Sequence, residues 1–382
     1  MAGEALGPVL DDFEFDATAA LTPHAINLDG EYYAVVYRQG SASAWIKTYR
    51  IIADGTISEI DTWEFSVENA TNPMIFSIAG DLYAITYHFF NGSYNRGQLK
   101  TIHISDTGTI TESFDDAYQI ANAKYPGYLM QITGNYFVLI NGASPNDHYV
   151  YTFTLVSGAG GITLIDSYDY LDLGYLVLAA GKVTDNVFFA AFACDASYYI
   201  YTLHVSNTGV ITSPYVAVQA FAVTCGHSRL RSCEIAPNIF AIVGYDSGTF
   251  ETFIHTIQIN NDGTIGATTI DTLVFTGIVS YANSIAYTGT PGRFFIAYAD
   301  TDTDGKVDVI DITNAGAISD DPLYSALEFD DNYGTYPSVL PLNGALFPIF
   351  YIGPDGDGWI KTVTFAVPAI GVHHEMIMKI GP

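Results

Sequence analysis

The chain has 382 residues, of which 49% are hydrophobic and 14% aromatic, enough for a large core in one all-β unit. Against 41 Asp and Glu stand 13 Lys and Arg, a net charge of −28 that repels nucleic acid and anionic lipid. No run of about 18 apolar residues is present, so no helix inserts into a membrane, and the opening Met1-Ala2-Gly3-Glu4-Ala5-Leu6 lacks the basic and apolar regions of a secretory signal.

The first predicted element is a strand over residues 8–17, centred on Val9-Leu10-Asp11-Asp12-Phe13-Glu14-Phe15. Its pattern returns at Glu59-Ile60-Asp61-Thr62-Trp63-Glu64-Phe65, and both precede an X-Pro pair, Thr22-Pro23 and Asn72-Pro73. These prolines, with Pro126 and Pro337, are expected to hold the chain extended where a first strand begins. An aromatic and small second strand follows, as in Tyr32–Tyr37, Leu82–Tyr87, Val187–Phe192 and Phe294–Tyr298.

A third strand carries the clearest repeat. Thr48, Thr101, Thr152, Thr202, Thr256, Val309 and Thr362 occupy equivalent positions, at spacings of 53, 51, 50, 54, 53 and 53. It ends at a Gly turn (Asp54-Gly55, Thr107-Gly108, Thr208-Gly209, Asp262-Gly263), because Gly supplies the positive φ that a tight hairpin needs. A fourth strand then leads to the next unit. Polar residues two places after the repeated position, His103 and His204 among them, are expected to be buried hydrogen-bonding groups between units.

Repeats of this size, built from four strands, resemble the blades of a seven-bladed β-propeller. The resemblance is one of architecture, since the signatures of WD, sialidase and kelch repeats are missing. It implies one domain over residues 1–367. The last unit stops after its third strand, Trp359–Phe365, so the strand at 8–17 is expected to complete blade seven and close the ring. Residues 368–382 form a tail, expected to contact the propeller or a second copy of the chain in a homo-oligomer. Cys194, Cys225 and Cys233 set no disulfide framework; Cys225 and Cys233 are near enough in sequence to pair across a short loop, but the three read first as free buried thiols.

One loop stands apart. Asp300-Thr301-Asp302-Thr303-Asp304-Gly305-Lys306-Val307-Asp308 alternates carboxylates ahead of a glycine, the oxygen-rich curl that Ca²⁺ requires. Flanked by strands, it resembles the calcium hairpin of integrin-type FG-GAP propellers. That resemblance implies a structural calcium held by Asp300, Asp302, Asp304, the carbonyl of Lys306, and Asp308.

The loops joining a fourth strand to the next first strand, and a second to a third, fall on one face of a propeller. Mapped so, this face receives His88, Tyr94, Arg96, Lys124, Tyr125, His148, His227, Arg229, Arg231 and Tyr336 as candidate ligand-binding residues, with Arg38 beside them. Aromatic rings stack on sugars, and Arg pairs with carboxylates. No nucleotide-binding Gly loop or nucleophile elbow is present. The chain therefore reads as a non-catalytic propeller of the cell or virion surface, either structural or binding a glycan or a neighbouring surface protein. The alternative is a secreted polysaccharide lyase or glycoside hydrolase that turns the same His, Tyr and Arg on an acidic polysaccharide.

Overall fold

The computed structural model describes residues 6–365, apart from 41–42, 68–69, 91–94, 121–126, 143–147, 157–159, 170–176, 195–196, 224–229, 247, 250, 276–283, 320–325 and 341–345. Its strands form seven four-stranded antiparallel sheets, each a blade of consecutive strands except one. Blade one spans residues 20–66, blade two 70–120, blade three 128–169, blade four 177–221, blade five 231–275 and blade six 284–330. Blade seven takes three strands from residues 335–365, and its outer strand is Leu6–Asp16 from the N-terminus, paired with Gly358–Phe365. No α-helix occurs among the described residues. We call the face with the outer-to-first and second-to-third connections the upper face, and the opposite one the lower.

The core is divided between the blades. Each of the seven hydrophobic clusters joins two neighbouring blades, because a sheet with apolar residues on both faces must pack against a sheet on each side. The joint between blades seven and one is typical: Phe350 and Ile360 meet Tyr33, Val35 and Tyr49, and the N-terminal strand adds Phe15. Burial of one such aromatic ring contributes about 1.5–3 kcal/mol.

Two polar contacts repeat around the ring and explain the recurrent threonine. Thr48 donates to the Gly108 carbonyl of the next blade at 2.6 Å, and Thr101, Thr152, Thr202 and Thr256 do the same to Gly160, Gly209, Gly263 and Gly316. Thr362 of blade seven donates to Gly55 of blade one at 3.0 Å, which closes the series. Alongside, an outer-strand aspartate accepts the N–H two residues past that glycine. Asp11, Asp61, Asp116, Asp166 and Asp271 hold Ile57, Ile110, Ile162, Ile211 and Ile318 at 2.8–3.0 Å. Part of the aspartate excess is thus spent between blades. The remaining position of the series is Val309, fully buried in blade six. Its successor, blade seven, borrows its outer strand and so has no glycine turn to offer a carbonyl. A threonine there would lack the glycine carbonyl to which its counterparts donate.

Gly55 shows why these turns need glycine: its φ is +95°, and a Cβ would lie 2.8 Å from the Leu10 side chain of the neighbouring outer strand.

Two expectations need correction. The residues before Pro23, Pro73 and Pro337 are left-handed, not extended: Thr22, Asn72 and Tyr336 have φ of 56°, 48° and 54°. Each sits in a bulge in which the first strand spends three steps (Leu21 to His24) against two on its partner (Arg38 to Val36). Proline, which has no N–H to give a ladder, is at home in that bulge. The polar series likewise lies at the lower rim. His103 stands between Asp81 and Asp115 at 3.0 and 3.5 Å, and His204 reaches the Asp262 carbonyl of the next blade at 3.1 Å. Cys233 is a free thiol that burial pushes up to about 12, which makes it a poor nucleophile. The side chain of Cys194, all of Cys225 and the tail lie outside the described residues.

Candidate functional site

Of the ten candidate residues, His88, Arg96, Arg231 and Tyr336 are described, and the strand topology puts all four at the upper face. Tyr94, Lys124, Tyr125, His227, Arg229 and the side chain of His148 lie outside the described residues. His88 and Arg96 flank one hairpin of blade two, opposite Gly97 and Phe89. Arg231 opens blade five, and Tyr336 is the left-handed residue of blade seven. They are spread around the ring on separate blades, with His88 and Arg96 as the one pair sharing a hairpin.

Among the described residues the cations fall into two groups, paired and unpaired with a carboxylate. Lys47 pairs with Glu59 at 3.0 Å, Arg50 with Glu31 at 2.9 Å, and Lys182 with Asp185 at 2.8 Å. Arg293 pairs with Asp311, Lys306 with Asp300, and Lys361 with Asp330, while Lys100 stands 4.3 Å over the Phe114 ring. Arg38, Arg96 and Arg231, all at the upper face, have no carboxylate partner among the described residues. Arg96 Nη1 donates to Gln119 Oε1 at 3.2 Å, and Arg231 Nη1 to the Leu230 carbonyl at 3.2 Å. The Nε atoms of Arg38 and Arg96 are buried and unbonded. A buried donor held without an acceptor costs free energy.

His88 is anchored rather than loose. Its Nε2 hydrogen-bonds with Thr71 Oγ1, which also reaches the His88 carbonyl at 3.2 Å. Thr71 directly precedes the left-handed Asn72, so bulge and histidine are fixed together.

The aspartate loop sits at the same face, between the second and third strands of blade six. Asp300 organises it, accepting the N–H groups of Asp302 at 3.0 Å and Asp304 at 3.1 Å. Burial raises the Asp300 carboxyl, but the Lys306 ammonium and those N–H groups bring it below the usual carboxylate range. Asp308 turns inward: the Tyr298 hydroxyl donates to it at 2.6 Å, and burial raises its carboxyl despite that bond and the nearby Lys306. Its other oxygen is buried and unbonded. A lysine ammonium therefore neutralises the first carboxylate of the motif. Among the described residues no three His, Cys, Asp or Glu side chains are grouped to hold a metal. This arrangement does not fit the calcium hairpin, whose oxygens must converge on one point.

Asp330 makes a comparable polar node at the end of blade six. It accepts from the N–H of Asn332 and Tyr333 at 3.0 Å each and from the Tyr351 hydroxyl at 2.7 Å, with Lys361 at 3.4 Å. Burial pushes its carboxyl up, and these donors more than reverse that.

No protein-family model matches the sequence, and no curated protein matches it. Solved structures do match in shape. The β-propeller domain of Cps50 (Swd1) from Myceliophteria thermophila superposes with a TM-score of 0.58 at 10% identity, covering 94% of this chain and 100% of that one. The WD40 domain of Toxoplasma gondii coronin gives 0.59 at 9% identity, over 97% and 90% of the two chains. The periplasmic gluconolactonase of Pseudomonas aeruginosa gives 0.57 at 10% identity, over 82% and 86%. Identities this low carry the fold alone. The chain is a seven-bladed β-propeller with four antiparallel strands per blade.

Proposed function

We propose that this propeller is a non-catalytic binding protein of the cell or virion surface that holds an acidic glycan on its upper face. The observation behind this reading is the set of guanidiniums at Arg38, Arg96 and Arg231, left without carboxylates in a chain of net charge −28. Arg pairs bidentately with carboxylate or sulfate, and cationic groups standing free in an acidic field attract anions, with Arg38 and Arg96 on the adjacent blades one and two. The left-handed Thr22, Asn72 and Tyr336 support it, because strained backbone gathers where a surface is shaped for a ligand.

The test is an array of acidic and neutral oligosaccharides, probed with the protein and with the combined Arg38→Gln, Arg96→Gln and Arg231→Gln variant. A hydrogen bond to a charged group contributes about 1.5–3 kcal/mol, so losing all three guanidiniums weakens binding by more than about a hundredfold. The fold is expected to persist, since none of the three is ion-paired. Undiminished binding in the variant moves the site elsewhere. Unsaturated products from an acidic polysaccharide would instead establish the lyase reading.

A further inference from the structure

The joint between blades four and five departs from its neighbours. Opposite the repeated threonine, the outer strands of blades one, two and five carry Asp61, Asp116 and Asp271, whereas blade four carries Ala217. Among the described residues no aspartate reaches across to blade five there, although the Ala217 N–H still bonds to Thr202 Oγ1 at 3.2 Å as the Asp271 N–H does to Thr256 Oγ1 at 3.1 Å. On the same joint a cleft of about 500 Å³ opens, a volume suited to a small molecule.

Its inner wall is His255, on the third strand of blade five and only 6% exposed. The position before the repeated residue is Lys47, Lys100, Tyr151, Tyr201, Asp308 or Lys361 in other blades, so histidine is particular to this one. His255 Nδ1 lies 2.7 Å from the Tyr198 hydroxyl. Tyr198 is itself stacked between Phe221 and Phe253, with ring centroids 5.0 and 5.8 Å away and planes within 15°. The imidazole is therefore held rigidly. Its Nε2 bonds to no described residue, and the ring lines the cleft. Burial lowers its pKa to about 4, so the ring is neutral at physiological pH and offers one uncharged hydrogen-bonding atom.

At the upper end of the cleft Asp246 and Glu251 face each other across a hairpin. Asp246 Oδ1 accepts the Gly248 N–H at 2.8 Å, but neither carboxylate has a cationic partner among the described residues. Like charges set opposite one another are unfavourable until a cation joins them. Val223 and Val274 give the cleft apolar surface, and Thr269 and Thr272 supply hydroxyls.

We propose that this cleft binds a small ammonium-bearing ligand of amino-sugar size. The ammonium lies between Asp246 and Glu251, a hydroxyl meets His255 Nε2, and the apolar face rests on Val223 and Val274. The upper-face guanidiniums take no part, so this site and the acidic-glycan site stand or fall separately.

Calorimetric titration of the full chain with glucosamine, and with glucose as the uncharged match, tests this. Glucosamine is expected to bind saturably and at least about tenfold more tightly than glucose, about 1.4 kcal/mol. Asp246→Asn combined with Glu251→Gln, both away from the core, should abolish that preference. His255→Phe, which keeps the aromatic packing, should weaken both sugars. The surface pair decides between the outcomes even if the His255 variant fails to fold. Absence of saturable glucosamine binding, equal binding of the two sugars, or a preference that survives the Asp246/Glu251 change overturns the proposal.

Discussion

Removing residues 1–17 is expected to abolish cooperative unfolding and leave a chain that aggregates. The deletion strips the outer strand from blade seven and exposes the unpaired edge of Gly358–Phe365. It also takes Phe15, 2% exposed and 5.1 Å from the Tyr37 ring, out of the cluster that joins blades seven and one. Truncating a buried Phe to Ala costs about 3–5 kcal/mol on its own. Asp11 goes as well, freeing the Ile57 N–H, and so does Asp16, which accepts the N–H groups of Thr18 and Ala19. Against a typical total stability of about 5–15 kcal/mol, these losses together exceed what the ring can absorb. Phe15→Ala alone should fold with a clearly lowered melting temperature. A deletion variant that melts like the intact chain would show that blade seven does not depend on the N-terminal strand.

The second large effect concerns the threonines between blades. Thr202→Val and Thr256→Val keep the side-chain shape and remove one hydroxyl each, leaving the Gly263 and Gly316 carbonyls without their donor. An unsatisfied buried acceptor costs about 1–3 kcal/mol. The two contacts lie on different joints, so their effects should add to about 2–6 kcal/mol in urea unfolding. Val309→Thr is the reverse change at the one position without an acceptor, and it should also destabilise, by about 1–3 kcal/mol. Threonine favourable in six blades and unfavourable in the seventh is a strong demand on a single explanation. Neutral Thr→Val changes, or a stabilising Val309→Thr, would break it.

These contacts show which parts of the molecule the sequence makes legible. The threonine recurs every 50–54 residues, so the repeat and the blade count stand out. The aspartate that works beside it does not. Thr48 precedes Asp61 by 13 residues, Thr101 precedes Asp116 by 15, and Thr152 precedes Asp166 by 14. The spacing drifts because third and outer strands shift register by bulges, as at Thr48/Tyr49 and Thr152/Phe153, and a bulge has no residue signature of its own. Closure was readable because Glu14-Phe15 repeats the outer-strand ending Glu64-Phe65.

At the upper face, loop position is readable from the repeat, but charge pairing is not. Lys361 meets Asp330 from 31 residues away, and nothing local distinguishes it from Arg231, which has no carboxylate partner among the described residues. The same limit misleads at Asp300–Asp308. Alternating carboxylates suggest a cation, while Lys306 within the motif already neutralises the first of them. The His255 cleft leaves only a faint trace, a histidine where other blades place lysine, tyrosine or, in blade six, Asp308. Its meaning depends on Tyr198, 57 residues earlier on the neighbouring blade.

The most direct test of the acidic-glycan reading is the affinity of the intact protein for an oligogalacturonate as salt is raised from about 0.1 to about 1 M. Over that range the Debye length falls from about 10 to about 3 Å, which screens the charge of partly exposed guanidiniums. The protein is expected to bind at low salt, to weaken steeply across the series, and to ignore a neutral dextran oligomer throughout. Failure to bind at low salt, or an affinity indifferent to salt, would contradict a site built on Arg38, Arg96 and Arg231.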